Sequence, residues 1–496
     1  MNKYLLSALA LTLSASLQAN EQRYINEHLH DQRIQTETIV TTPKINALPQ
    51  SQAKPNQTEG KTLSISKEEL VQHPDLVIRA LLPAVMQGNL ENVALLFPIY
   101  QQIPSQFQDP ILTQWAKAIL AKKQHNYRKA IRLYREILSA QSDILPARLQ
   151  LAVSLFENNE LDAAEDQFKR LRAEQLIPDV QAMIGQYLAA IERRDRWTFG
   201  GGVTYLNDPN INNAPKRNLI EWTTRDASGN ERKESLKGSS PEKGEGFSFN
   251  FNVGKKWSWG NGFFNELRLN SYGKYYWNNK KYNDLTLRVQ LGTGFQNSKF
   301  NLTLLPFMEH MLYAGGSSGN NTLKRFSKSG GGSLELGYWL SPKWQLNGNY
   351  EYGEQRYRTR KHLNGNYHFV SIGANYLASA GQYWFSSMNY NRTSTKDKSD
   401  SFFRRGLTVG WGQEWGKGLS TRLSLGIAQK RYKGITPIFG LQKNRELTTQ
   451  LSVWHRAVHL WGITPRMTYT FTKVKSNHIF TTYDKHRVFV DFSKQF

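Results

Sequence analysis

The sequence predicts an α-helical repeat domain followed by a transmembrane antiparallel β-barrel of about 14 strands. Three observations carry this. Residues 61–196 place apolar side chains at helical spacing. Residues 197–496 alternate apolar and polar side chains over about fourteen successive stretches. The links between those stretches are alternately long and tight, as in a barrel with long outer loops and short periplasmic turns.

The 496-residue chain starts with "MNKYLLSALALTLSASLQAN". A cation at Lys3, an apolar run from Tyr4 to Leu17 and a small residue at Ala19 make residues 1–19 a secretory signal peptide. Residues 20–60 are polar, with scattered Pro, Thr and Gln, and are expected to form a flexible linker. No later window offers the roughly 20 apolar residues of a membrane-spanning helix. With no Cys there is no disulfide and no thiol nucleophile. The net charge of +24 points to anionic surfaces. Export from the cytoplasm argues against nucleic acid and leaves outer-membrane lipid or an acidic passenger as partner.

Within residues 61–196, "NYRKAIRLYREIL" sets Tyr127, Ala130, Ile131, Tyr134 and Leu138 on one buried helical face. The stretch repeats: "NYRKAIRLY" aligns with "ELDAAEDQF" 34 residues on, so Ala130 matches Ala164 and Tyr134 matches Phe168. An earlier copy, "NLENVALLF", puts Val93 and Phe97 in the same slots. The small residue lets two helices approach, and the aromatic four positions on fills the next layer. This spacing resembles the tetratricopeptide repeat, although the Trp-Leu-Gly-Tyr positions of that repeat are poorly kept. About three helix pairs would stack into a short curved array with a concave face; a plain helical bundle is the alternative.

From Trp197 the period becomes two. Strands are expected near 197–206, 245–257, 262–277, 284–296, 300–314, 323–340, 344–359, 363–379, 382–395, 401–416, 419–433, 442–457, 463–475 and 484–496. Tight links such as "QNSK", "SPK" and "SAG" separate alternate pairs, and a long polar link, "NDPNINNAPKRNLIEWTTRDASGNERKESLKGSSPEKGEG", follows the first strand. Trp257, Trp259, Phe263, Trp339, Trp344, Trp384, Trp415 and Trp461 flank the tight turns and read as an interfacial aromatic girdle. Arg288 and Arg422 alternate with Leu and Val, so they are expected in the lumen, where no lipid penalises charge.

The C-terminal "HRVFVDFSKQF" is itself a strand, with Val488, Val490, Phe492 and Phe496 on one face. Lipid leaves a free sheet edge unsatisfied, so this strand is expected to pair with the first. That first strand carries Gly200, Gly201 and Gly202, which weaken side-chain packing and permit close backbone approach. The glycines read either as a β-bulge or room for a lumen-filling side chain, or as a candidate lateral seam of Gly200, Gly201 and Gly202 against Phe492 and Phe496. Directly after it, Asn207, Asp208, Pro209 and Asn210 supply turn chemistry.

A signal peptide, a short tetratricopeptide-like region, a barrel of about fourteen strands and the motif "NDPNINNAP" after a Gly-rich first strand together resemble the surface lipoprotein assembly modulators. Asn207, Asp208, Pro209, Asn210, Asn213 and Pro215 are the positions that carry the motif. The terminal aromatic strand resembles the signal read by the barrel assembly machinery, with Lys494 as a departure. The resemblance implies an outer-membrane translocator with its N-terminal domain in the periplasm. Its passengers would be surface lipoproteins or related haemophores, received with periplasmic chaperones, without a nucleotide or other cofactor.

Catalytic signatures are missing: there is no HExxH, GxSxG or GxxxxGK[ST], and His455 and His459 stand four apart in a strand and turn, a poor zinc pair. No enzyme is expected. An exopolysaccharide export porin, which also joins helical repeats to a barrel, is the alternative function.

Overall fold

The computed structural model describes residues 67–496, apart from 142, 173, 175, 195–196, 226–229, 260–261, 298, 317–318, 320, 342, 380, 416–417, 437–439, 456–457, 459–462 and 496. The signal peptide, the linker, Trp461 and Phe496 lie outside the described residues.

Eight helices come first among the described residues: α1 (Lys67–Gln72), α2 (Pro74–Gln87), α3 (Leu90–Tyr100), α4 (Pro110–Lys123), α5 (Tyr127–Ala140), α6 (Leu145–Glu157), α7 (Leu161–Arg172) and α8 (Pro178–Arg194). Their starts are written in the sequence. Asn89, Asp109 and Asn126 each accept a hydrogen bond from a backbone N–H of the first turn, and Pro opens α2, α4 and α8. Gly88 ends α2 in the left-handed region at φ 68°, where a side chain would be strained. Consecutive helices pack against one another around one core. Val93, Ala130, Tyr134, Ala164 and Phe168 are all buried in it, at equivalent places on α3, α5 and α7. Phe168 stacks on Tyr187 of α8, and Phe156 meets the same ring edge-on.

The core also holds a polar hub that hydrophobic periodicity does not reveal. Gln150 of α6 accepts from Trp115 Nε1 at 2.7 Å and from Tyr134 Oη at 3.0 Å. Its amide donates to the Val85 and Met86 carbonyls at the end of α2. One side chain thus satisfies buried groups from three neighbouring helices.

The strands follow: β1 (Thr198–Asp208), β2 (Leu219–Arg225), β3 (Glu231–Lys237), β4 (Gly244–Ser258), β5 (Phe263–Tyr276), β6 (Asp284–Gln296), β7 (Phe300–Tyr313), β8 (Lys324–Ser341), β9 (Trp344–Tyr357), β10 (Gly365–Ser379), β11 (Gln382–Thr395), β12 (Phe402–Glu414), β13 (Leu419–Thr436), β14 (Gly440–His455), β15 (Arg466–Ser476) and β16 (Tyr483–Gln495). Fourteen of them close an antiparallel barrel in the order β1-β16-β15 and so on down to β4, which returns to β1. β2 and β3 form a separate hairpin within the first long loop, an element the polar sequence did not announce.

Parity holds around the barrel. Leu287, Val289 and Leu291 on β6, and Leu423, Leu425 and Ile427 on β13, point outward and are exposed in the isolated chain. Leu419 to Ile427 spans roughly 27 Å of strand, or about 21 Å of depth at a tilt near 40°, close to the apolar band of an outer-membrane barrel. Trp257, Trp259, Phe263, Trp344, Trp384 and Trp415 are exposed beside the tight turns. Trp339 departs from the expected girdle: it shares the inward parity of Ser333 and Glu335, and Tyr338 and Leu340 take the outward positions.

The lumen is filled by ion pairs. Arg288 reaches Glu309 at 3.4 Å and Glu351 at 2.9 Å, and Arg268 bridges Glu266 and Glu335. Tyr367 donates to Glu351 at 2.7 Å. That ring lies flat on Gly353, where an added Cβ would stand 2.6 Å from its oxygen. Gly410 likewise makes room for Phe385, over which the Arg422 guanidinium sits at 4.5 Å.

Candidate functional site

The site is built where β1 meets β16. Their ladder runs over six pairs, from Gly200↔Gln495 to Tyr205↔Val490. On its other side β1 pairs with β4 over eleven, from Thr198↔Gly254 to Asp208↔Gly244. The seam is thus the shorter of the two, and it lacks a ladder at its loop end, where β1 continues to Asp208 and β16 begins at Tyr483. Gly201 faces lysine 494 across the seam and Gly202 faces serine 493 in register; Phe492 sits opposite Val203, both pointing outward and half-exposed. The close approach at the glycines comes from β4: an added Cβ on Gly200 would meet the Asn252 amide at 2.4 Å, and one on Gly201 the Phe251 ring at 2.8 Å. Thr204 donates to Asp491 across the seam at 3.0 Å.

Beyond Tyr205 the two strands are joined by side chains. Lys485 of β16 is buried and donates to Asp208 Oδ2 at 3.0 Å, to the Asn210 carbonyl at 3.0 Å and to Asn213 Oδ1 at 2.7 Å. These three bonds use all the donors of one ammonium. The motif residues are shaped to receive it. Asp208 Oδ1 accepts from the Asn210 amide, closing a turn over Pro209. Asn210 exchanges two hydrogen bonds with the Ala214 backbone, at 2.8 and 2.9 Å. Asn213 takes the left-handed conformation, φ 50°, which an Asn tolerates better than most residues. Pro215 is buried, and Pro209 and Asn207 are exposed. Lys216 then donates its amide to the Thr482 carbonyl and its ammonium pairs with Asp484, again on the β16 side.

The same loop turns inward over the barrel mouth. Ile211 is buried with Tyr276, Tyr282, Met311, Tyr313, Phe326, Tyr357 and Leu363. Tyr313, Phe326 and Tyr357 form consecutive edge-to-face pairs at 5.3 Å. Asn212 holds the returning strand by accepting from the Glu242 amide and donating to the Ser240 carbonyl. Tyr282 Oη and Lys281 both donate to Glu242, and these bonds hold its carboxyl below its ordinary range despite the burial that opposes them. The first loop is therefore a plug, buttressed by the β5–β9 wall and latched to β16 by Lys485.

Sequence reasoning found the loop and its Asn-rich turn and missed the latch. Alternation marks Lys485 only as inward-facing; nothing local links it to Asp208, 277 residues away. The repeat residues Ala130, Tyr134, Ala164 and Phe168 belong to the helical core, away from this site. Among the described residues no cluster of three or more His, Asp or Glu could hold a metal.

The helical region enters the barrel at Thr198, the end of β1 that lies beside the tight β4–β5 turn. The plug is at the opposite end.

Comparison with known proteins agrees with this layout. Residues 197–496 match the family described as "Surface lipoprotein assembly modifier", and residues 63–168 match its N-terminal TPR repeats. The chain is 46% identical to surface lipoprotein assembly modifier 1 of Haemophilus influenzae, over 94% of this chain and 94% of that one. It is 39% identical to surface lipoprotein assembly modifier 2 of the same strain, over 99% and 98%. It is 23% identical to a hemophilin secretion modulator of Acinetobacter baumannii, over 98% of each. These matches do not favour the polysaccharide-export alternative.

Proposed function

Because the chain belongs to the surface lipoprotein assembly modifier family, we propose that it is the outer-membrane translocator that carries a surface lipoprotein, or a related haemophore, from the periplasm to the cell surface. It is an outer-membrane β-barrel with an N-terminal tetratricopeptide-like region. The helices join the barrel at the tight-turn end, which suits a periplasmic receiving domain. Residues 1–19 would direct export and residues 20–60 would tether that domain, whose concave face would hold the passenger as delivered by periplasmic chaperones. No catalytic step is assigned: the chain acts by binding and by moving.

The observation that carries this reading is the seam. A lipid-anchored passenger brings acyl chains, and each CH₂ exposed to water costs about 0.8 kcal/mol. A chain of about sixteen carbons would cost more than 10 kcal/mol in an aqueous lumen, so a route that keeps it in lipid is strongly preferred. The β1–β16 ladder is short and its loop end is held by side chains. Release of Lys485 from Asp208, Asn210 and Asn213, with that of Lys216 from Thr482 and Asp484, would free the loop from β16 and leave six backbone pairs to part. The polypeptide would then pass along the opened lumen with its anchor at the seam.

The test is co-expression in a heterologous Gram-negative host with a lipoprotein encoded beside this gene. Protease accessibility of that lipoprotein on intact cells is the readout. Exposure that requires this chain supports the proposal; a passenger that stays protected beside a correctly assembled barrel refutes it for that passenger class.

A further inference from the structure

The outward face of the barrel carries a charge pattern that passenger export does not use. On β13, exposed Leu423, Leu425 and Ile427 define the lipid-facing parity. Followed toward the loop end, the same parity brings Arg431. On the neighbouring strands it brings Arg392 of β11, Lys443 and Arg445 of β14, and Lys473 and Lys475 of β15. Five of the six are exposed and Lys473 is half-exposed. Among the described residues none of them forms a salt bridge with a carboxylate.

Register packs them together. Arg431 stands directly opposite Lys443, and Arg445 directly opposite Lys475. Like charges in directly paired positions of a sheet repel at Cβ separations of about 5 Å. Two such pairs, two residues apart along β14, are a poor arrangement for stability alone and a good one for an anion shared between them. Arg431 lies four residues beyond Ile427, about 10 Å further along the membrane normal at a tilt near 40°, the level of outer-leaflet headgroups. Unpaired cations gather on this side. On the β4–β7 side the corresponding outward positions are Phe247, Tyr275 and Leu287, and on β8–β9 Lys328 also stands opposite Arg356, but there Arg356 is already paired with Glu354 at 3.0 Å.

We propose that the outward face at the loop ends of β13–β15 is a binding site for a phosphorylated glycolipid of the outer leaflet. Arg431 and Lys443 clamp one anionic group, Arg445 and Lys475 a second, while the acyl chains lie along Leu423, Leu425 and Ile427. The site is separated from the β1–β16 seam by one strand, β16. It holds whether or not that seam opens, because it needs only that the barrel is in the outer membrane.

The test uses the full chain in detergent micelles at low salt, titrated with bis-phosphorylated lipid A, with the same lipid stripped of phosphate, and with inorganic phosphate as competitor. Binding is read by native mass spectrometry. Wild type retains the bis-phosphorylated lipid and not the stripped one, and millimolar phosphate does not displace it. Arg431→Gln/Lys443→Gln/Arg445→Gln/Lys475→Gln weakens binding several-hundred-fold, about fivefold per cation. Arg431→Gln or Lys475→Gln alone gives the single step and covers misfolding of the fourfold variant. Lys328→Gln/Arg356→Gln, on β8 and β9, leaves binding unchanged. Equal retention of both lipids, displacement by free phosphate, no loss in the fourfold and single variants, or an equal loss in the β8–β9 control overturns the proposal.

Discussion

Lys485→Met isolates the latch. The substitution keeps the length and apolar stem of the side chain and removes the ammonium that donates to Asp208, Asn210 and Asn213. Asp208 is left buried with a carboxylate oxygen facing no cation from that position. Breaking a buried ion pair by deleting one partner costs about 3–5 kcal/mol. The six-pair ladder below and the loop's packing on Tyr276 and Tyr313 are untouched, so the cost falls on opening of the loop and not on the whole barrel. At 1.4 kcal/mol per decade, opening becomes two to three and a half powers of ten more frequent. Hydrogen exchange in detergent reads this directly, because the amides of Asn210, Ile211, Ala214 and Lys216 are all hydrogen-bonded in the closed loop. Their protection should fall at least a hundredfold in Lys485→Met while amides in β9 and β10 keep theirs. Adding Asp208→Asn, which removes the stranded charge, should restore part of it. Unchanged protection of the 210–216 amides in Lys485→Met would refute the latch.

Two further outcomes concern the helical region. Gln150→Leu removes four hydrogen bonds and strands Trp115 Nε1 and the Tyr134 hydroxyl; it should cost about 2–4 kcal/mol, seen as an earlier helical melting transition in the full chain with the β-signal unchanged. Burial holds the Glu157 carboxyl above its ordinary range, an effect its 3.2 Å pair with Lys122 only partly offsets. The folded state then binds this proton more tightly than the unfolded chain, so its contribution is full below the ordinary carboxylate pKa and is lost as pH rises through the raised one. Glu157→Gln should flatten that part of the stability–pH curve and leave the helical region more stable at neutral pH; a steeper neutral-side slope would contradict it.

How much was legible in the sequence follows from which forces are periodic. Lipid penalises every outward polar group, so Leu287, Val289 and Leu291 announce their strand and also fix Arg288 as inward. The alternation of loop lengths gave strand pairing for the same reason, because antiparallel neighbours need short turns on one side. The β2–β3 hairpin went unseen because "ERKESLK" has a single apolar residue and so no alternation to read. Trp339 was misplaced because nearness to a turn was read without parity. Lys485 and Gln150 are single polar residues whose meaning depends on partners scores to hundreds of residues away. The Asn-rich motif marked a turn, and its partner Lys485 could only come from closure of the barrel.

The lateral seam is the claim on which the transport mechanism turns, and the Cys-free chain gives it a clean test. Val203→Cys and Phe492→Cys place two thiols directly opposite each other across β1 and β16. Surface display of the passenger is then measured on intact cells before and after oxidation. The account predicts that display stops when the bridge forms and resumes on reduction, with each single variant unaffected. Undiminished display through a fully bridged seam would contradict lateral opening and leave the lumen as the only route.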